Sequence, residues 1–316
     1  MPNRLSIARI RKSVEVIDPV FLNTRQFTST SLNGLLGTEL ILKDETANPV
    51  GCFKGRGAEF FADQHTDGRR IICASAGNFG QAMAYACGRR HIPVTVYASV
   101  NASPIKLKGM RELGAEVVLH GEDFDAAKLE AKRVAATSDA RFVEDSLDVE
   151  TVEGAGTMGL ELLEYPEPLD ALLIPLGNGA MFNGIACAYK SARPQTKMIA
   201  IQATGAPAMI ESWQQGKIVS HDSISTIADG IGVREPVPEA VDDMTALIDD
   251  GILVSEPGIR QGMRLLREHA ELIAEPSSAV GVAAILENGD RFREQRIGTI
   301  ICGGNVSNDQ LKAWLE

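Results

Sequence analysis

Cysteine is scarce and unpatterned in this 316-residue sequence: Cys52, Cys73, Cys87, Cys187 and Cys302 are odd in number, scattered, and never spaced as C-x-x-C. That argues against a disulfide framework or a zinc ribbon and fits a reducing compartment. The five histidines form no H-E-x-x-H or other metal spacing, and no G-x-S-x-G elbow occurs, so hydrolase and metalloenzyme readings have no residues to carry them, and no metal is expected. No apolar run approaches the ~18 residues that a spanning helix needs. The N-terminal MPNRLSIARIRKSVEVIDPVF lacks the uninterrupted apolar region of a secretory signal. Basic residues are also in the minority, 31 Lys and Arg against 42 Asp and Glu for a net charge of -11, which offers neither nucleic acid nor an anionic membrane a basic face. These absences together predict a soluble, cytoplasmic protein.

What is present begins with ordinary globular proportions, 44% hydrophobic and 23% charged, and a length that suits about two domains. From residue 39 onward, short apolar runs alternate with amphipathic stretches. ELILK (39–43), RIICA (70–74), PVTVYA (93–98), EVVLH (116–120) and RFVED (141–145) read as strands. GQAMAYACGRRH, SPIKLKGMRELG and DFDAAKLEAKRVAATSD between them carry helical spacing, and the Ser-Pro of SPIKLKGM is a helix-start signal. The pattern resumes with LDALLIPLG (169–177), a helix from Met181, KMIAIQA (197–203), a helix from Ala206 and a last strand in GTIICGG (298–304). Alternation of this regularity predicts an α/β fold with two doubly wound layers of mainly parallel sheet, the two runs meeting near residue 150.

In such folds ligands bind beyond the carboxyl ends of the strands. Four glycine-rich loops stand out there: GCFKGRG, SAGNFG, LGNGAM and CGGN, three of them directly after a strand. In NPVGCFKGRGAEFF (48–61), Lys54 is set between Phe53 and small residues. An ordinary solvated lysine needs no such setting, whereas a lysine that sheds its charge to form an imine with an aldehyde cofactor does. ASAGNFGQA (74–82) is a strand-to-helix turn. It reads either as a tight connection with positive φ at Gly77 or as N–H groups holding a carboxylate, with the Asn78 amide reaching a second polar atom. PLGNGAMFNG (175–184) has the form of a nest for a single phosphate; no G-K-[ST] follows, so it is not a triphosphate loop. GAGTMG (154–159) is a literal G-x-G-x-x-G without a preceding apolar strand, and a helix cap is the favoured reading. Cys302 is either a small buried hydrophobe or a weak hydrogen-bond partner for a heterocycle.

Taken as an ensemble, CFKGRGAEF, SAGNFGQA, EGAGTMGLEL, PLGNGAMFNGIA, TIADGIGV, EPSSAVGVAA and ICGGN resemble the serine/threonine dehydratase group of pyridoxal-phosphate enzymes, in order and spacing from about residue 20 to residue 307. The resemblance implies the tryptophan-synthase-β type of fold. It also implies a large domain of residues 1–66 with 149–316, a small domain of 67–148 between them, and pyridoxal 5'-phosphate at their interface. Carried onto this sequence, it makes Lys54 the Schiff-base lysine and later the Cα base, flanked by Phe53. Asn78 would bond the cofactor's 3' oxygen, and Ser75, Ala76, Gly77, Asn78 and Phe79 would cradle the substrate carboxylate. Gly177, Asn178, Gly179, Ala180 and Met181 would bind the phosphate, and Cys302 would face the pyridine nitrogen.

The implied reaction is β-elimination of water from a hydroxy-amino acid such as L-threonine or L-serine, giving a 2-oxo acid and ammonia. A neutral thiol at Cys302 stabilises a protonated ring nitrogen poorly, which favours prompt elimination over transamination. The sequence departs from the group's pattern at Cys52, where serine is commoner, at Phe79, and at Asn178 and Ala180 within the phosphate loop. Ala76 stands where related racemases carry a second acid/base serine, so racemisation is expected to be minor. The chain ends at Glu316, soon after CGGN, and the expectation is a degradative enzyme without an appended regulatory domain. Relatives of this kind are commonly dimers or tetramers, so a homo-oligomer is expected. The alternatives are another β-elimination, β-replacement or racemisation on the same scaffold, or an NAD-dependent oxidoreductase that uses GAGTMG.

Overall fold

A computed structural model describes residues 4–315; residues 1–3 and 316, the outermost of the expected large-domain segments, lie outside them. Ten strands, β1 (Gln26–Thr28), β2 (Glu39–Asp44), β3 (Arg70–Ala74), β4 (Val94–Ala98), β5 (Glu116–Leu119), β6 (Ala140–Val143), β7 (Ala171–Pro175), β8 (Lys197–Ala203), β9 (Asp250–Val254) and β10 (Arg296–Ile301), form two sheets. One has the order β1-β2-β10-β7-β8-β9 and the other β5-β4-β3-β6. Every pairing is parallel except β1 with β2. The α/β class with mainly parallel sheets is therefore the one the alternation predicts.

Strands β7 and β8 inside the larger sheet are apolar almost throughout because both of their faces are covered. Along β7, Ala171 and Leu173 enter one core while Leu172 and Ile174 enter the other. The same division separates Ile199 and Ile201 from Met198 and Ala200 on β8. The smaller sheet is covered unevenly. Ile71, Cys73, Val94 and Val96 pack under the helix that carries Ala82, Met83 and Ala86, whereas the opposite face meets the buried Ala127, Ala131 and Ala135 and the partly buried Val134 of helix Phe124–Ala136.

Three details differ from the expectation. ELILK, read as the first strand of the first run, pairs with β10 and belongs to the larger sheet. β9 was not expected, since its DGILV opens with an acid and a glycine and its Leu253 is exposed. GAGTMG is no helix cap: it lies in the interior of helix Val149–Leu162. There a Cβ on Gly154 would come within 2.5 Å of the Arg56 carbonyl oxygen, and one on Gly156 within 2.9 Å of the Gly184 carbonyl oxygen. Absent side chains let helices Lys54–Gln64, Val149–Leu162 and Ala180–Lys190 approach backbone to backbone. A pyrophosphate has no room there, which removes the site of the oxidoreductase alternative.

Beneath Lys54 the sequence hides a buried ionic cluster. Arg56 is fully buried, with Nε 2.8 Å from Glu45 Oε2, Nη2 2.9 Å from Glu45 Oε1, Nη1 2.5 Å from Glu161 Oε1 and a further bond of 2.9 Å to Thr157 Oγ1. Lys43 completes the set on the second oxygen of Glu161. Two cations and two carboxylates with their hydrogen bonds made are the arrangement in which burial of charge is tolerated. They fix the helix whose first residue is Lys54.

Candidate functional site

The loops singled out by their glycines converge on one cavity of about 610 Å³, within the range that holds a cofactor-sized ligand. Phe53, Lys54, Asn178, Cys302 and the whole 75–79 turn line it. Gly177, Gly179, Ala180 and Met181 are not among its lining residues and stand behind it: Ala180 and Met181 are buried at the start of helix Ala180–Lys190. That helix has no side-chain cap, and its N-cap Gly179 takes φ 102°, a left-handed conformation that costs other residues strain. Ala180 N makes one long bond of 3.4 Å to Asn178 Oδ1, and a first turn without a cap from Gly179 is suited to meet an anion. A Cβ on Gly177 would sit 3.2 Å from the Gly230 carbonyl oxygen, so the TIADGIGV stretch packs directly on this loop.

The 75–79 turn is organised by Ser75, whose Oγ accepts from Gly77 N at 3.1 Å and Gly80 N at 2.9 Å. The helix begins at Asn78, so the N–H groups of Asn78 and Phe79 belong to its acceptor-less first turn. Gly77 has φ -148°, so of the two readings of this turn the one that needs positive φ there is not met. A Cβ there would make an ordinary 3.7 Å contact with Lys106 Nζ.

Asn78 holds an amide with both ends occupied: Nδ2 donates to Glu275 at 3.0 and 3.1 Å, and Oδ1 accepts from Asn305 Nδ2 at 2.9 Å. Glu275 caps helix Pro276–Glu287 and is nearly inaccessible. Burial pushes its carboxyl up to about 7, against the pull of Lys106 and of the Asn78 hydrogen bond. Cys302 ends the opposite wall, with Sγ 3.4 Å from Ser278 Oγ and 3.9 Å from Ser277 Oγ. Burial raises its thiol to about 11, so it is neutral across the physiological range. Its backbone carbonyl accepts from Phe53 N at 3.0 Å, which ties the last strand to the lysine segment.

Lys54 Nζ enters the cavity 4.6 Å from the centre of the Phe53 ring and pairs with Asp145. Asp145, Glu275, Lys106 and Arg234 all line the cavity, and sequence reasoning assigned a role to none of them. Arg234 pairs with Asp125 at the start of helix Phe124–Ala136. Two signals could have found the acids: Asp145 follows a parallel strand at its carboxyl end, where ligands gather, and Glu275 opens the quoted EPSSAVG motif.

The donor set suits pyridoxal phosphate. A lysine amine and a neutral thiol share one cavity lining with the 75–79 turn, and an uncapped helix start with a left-handed glycine adjoins it at Asn178. Comparison with known proteins agrees. The chain is 32% identical over 305 residues to the L-threonine ammonia-lyase of Thermotoga maritima, covering 96% of this chain and 76% of that one. It is 32% identical over 273 residues to the catabolic L-threonine dehydratase of Escherichia coli K12, with 85% and 83% covered. The structure of maize serine racemase superposes with a TM-score of 0.90 at 30% identity over 98% of this chain and 96% of that one. The processed threonine deaminase isoform 2 of Solanum lycopersicum gives 0.89 at 27% identity over 99% and 89%. The model of the pyridoxal-phosphate dependent enzymes matches residues 17–303, nearly the whole chain, and the chain belongs to that family.

Proposed function

We propose that the chain is an ammonia-lyase that uses pyridoxal phosphate to remove water from a small β-hydroxy amino acid, L-threonine or L-serine, yielding a 2-oxo acid and ammonia. The observation that carries the proposal is the placement of the Lys54 amine, the 75–79 turn and the Cys302 thiol on one cavity. When bound, pyridoxal phosphate supplies an aldehyde that bonds amines and a ring that takes up the electrons left by a departing Cα proton. Lys54 would be the residue that holds the cofactor, and its free amine would take the Cα proton as general base. The Asn78 and Phe79 N–H groups, with the Ser75-braced turn around them, receive the substrate carboxylate. Gly177 to Met181 would hold the phosphate through the start of helix Ala180–Lys190. Cys302 would serve the ring nitrogen as a neutral partner, and Asn78 would reach the ring oxygen by giving up one of the amide contacts it makes with Glu275. Ala76 carries no exchangeable proton on its side of the cavity, which favours elimination over racemisation.

The same proposal divides the chain into a large domain of 1–66 with 149–316 and a small one of 67–148. The separate sheets, with β3 to β6 all inside the second range, support it. It places the enzyme in the cytoplasm, in keeping with five free cysteines and with the absence, among the described residues, of any helix long and apolar enough to cross a membrane. It makes the working form a homo-oligomer, a dimer or tetramer, as is common on this scaffold.

The visible spectrum of the purified chain tests this reading. A yellow band that disappears in Lys54→Ala, and that L-threonine or L-serine perturbs as 2-oxo acid accumulates, is the expected result. A band indifferent to both amino acids contradicts the assigned substrates. No band after reconstitution contradicts the cofactor role of Lys54.

A further inference from the structure

Asp145 is placed as no other acid of its turn is. Residues 144 to 148 follow β6 and carry three carboxylates. Glu144 is taken by Lys128 and Lys132 of the neighbouring helix, and Asp148 by Arg141 at 3.0 Å. Among the described residues, the only cation paired with Asp145 is Lys54. Both side chains are shielded, Lys54 with 16% and Asp145 with 10% of the side chain exposed. The contact is therefore screened far less than a surface pair. Asn178 Nδ2 donates to the same carboxylate oxygen at 2.8 Å, so the acid is aimed from a second side by the β7 loop.

The backbone is held to the same end. Ser146, the next residue, has φ 73°, a conformation that costs a non-glycine residue about 1 kcal/mol or more. It persists because the turn is clamped. Thr151 Oγ1 accepts from Ser146 N at 3.2 Å, and the Arg4 guanidinium binds the Ser146 and Leu147 carbonyls at 3.2 and 2.8 Å while pairing with Asp243. A strained, clamped turn that delivers one carboxylate to one lysine in a cavity is a built contact.

We propose that Asp145 is a positioning residue for Lys54, taking up its ammonium whenever the amine is not bonded to cofactor and keeping Nζ aimed into the cavity. The proposal rests on the reading of Lys54 as the reactive lysine and adds what steers it. When Lys54 accepts a proton from Cα, the amine becomes an ammonium. Asp145 then supplies the opposite charge in direct contact, and Asn178 prevents the carboxylate from turning away. Without Asp145, the long lysine side chain keeps its contact with the Phe53 ring but loses its ion pair, and each return of the amine must find its place among more rotamers.

Two measurements on the full-length chain test this. In the cofactor-free protein, acetic anhydride labelling of Lys54 at neutral pH is followed by peptide mass spectrometry, with the exposed Lys217 as internal reference. Asp145→Asn should raise the Lys54 rate by about 5-fold or more, since a paired ammonium is a poor nucleophile, and Asp145→Glu should restore protection. Equal labelling in wild type and Asp145→Asn would overturn the pairing, whatever the cofactor proves to be. In the loaded enzyme, Asp145→Asn should keep the visible band and the KM for the amino acid while kcat falls by about 10- to 100-fold, the scale of a misplaced base. An unchanged kcat would overturn the positioning role even with the cofactor reading intact. Should Asp145→Asn not fold, Asn178→Ala frees the carboxylate while retaining its charge. A smaller rise in Lys54 labelling is expected there, and no rise would count against the proposal.

Discussion

Two stretches of this chain are rich in glycine, and they do opposite work. GAGTMG (154–159) lies inside a buried helix where each missing side chain makes room for a neighbouring backbone, Gly154 against Arg56 and Gly156 against Gly184. LGNGAM (176–181) lies at the end of a parallel strand, where Gly179 adopts φ 102° and opens a helix start without a side-chain cap. The first spells the nucleotide fingerprint and holds no ligand space. The second spells no standard fingerprint and stands behind the cavity wall. What separates them is position relative to a strand end, so glycine spacing carries chemical meaning only after the neighbouring strand has been located.

The comparison breaks if the two stretches respond alike to a single methyl group. Gly154→Ala should produce the larger effect. Its Cβ meets main-chain atoms of Arg56 and Gly57 that cannot rotate away, and overpacking of about 3 kcal/mol outweighs the helix-propensity gain of about 1 kcal/mol. Differential scanning calorimetry should show the midpoint of the cofactor-free protein about 4 °C or more lower, with the cofactor affinity of the folded fraction little changed. Gly179→Ala should do the reverse. Positive φ and a Cβ 3.1 Å from Asn183 Nδ2 distort the helix start, so fluorescence titration should show pyridoxal phosphate affinity about 10-fold weaker, with a smaller change in the midpoint. Equal loss of midpoint and affinity in both variants would contradict the division of roles.

A finer distinction is electrostatic. Arg56, Lys43, Glu45 and Glu161 beneath the packed helices balance one another, whereas Glu275 at the cavity faces Asn78, Asn305 and Lys106 with Asp229 opposing it, and its carboxyl rises to about 7. Between its ordinary value of 4.5 and about 7, the folded chain holds a proton at Glu275 that the unfolded chain has released. Stability from this group therefore falls as pH rises through that window. Relative to Glu275→Gln, wild type should lose a few degrees of midpoint between about pH 5 and about pH 8. Parallel pH profiles for the two proteins would show that Glu275 is not the titrating group.

Much of the architecture was legible because parallel strands covered on both faces read as unbroken apolar runs: RIICA and KMIAIQA coincide with β3 and β8 residue for residue. β9 escaped because its opening Asp250 and Gly251 interrupt the run, and β1 because three residues carry no period. The lysine, asparagine and cysteine of the cavity were legible through the small residues around them. Asp145 and Glu275 went unassigned, since their signals, an acid just after a strand and an acid opening EPSSAVG, are too common to single out a residue by themselves. Only the folded chain sets Asp145 against Lys54, 91 residues away, and Glu275 against Asn78, 197 residues away.

The central claim, that Lys54 carries pyridoxal phosphate in this cavity, is met most directly by borohydride reduction of the reconstituted protein followed by peptide mass spectrometry. The account predicts a phosphopyridoxyl group on the peptide containing Lys54, none on other lysines at stoichiometric cofactor, and none on that peptide in Lys54→Ala. A label spread over surface lysines, or an unlabelled Lys54 in a protein saturated with cofactor, would contradict it.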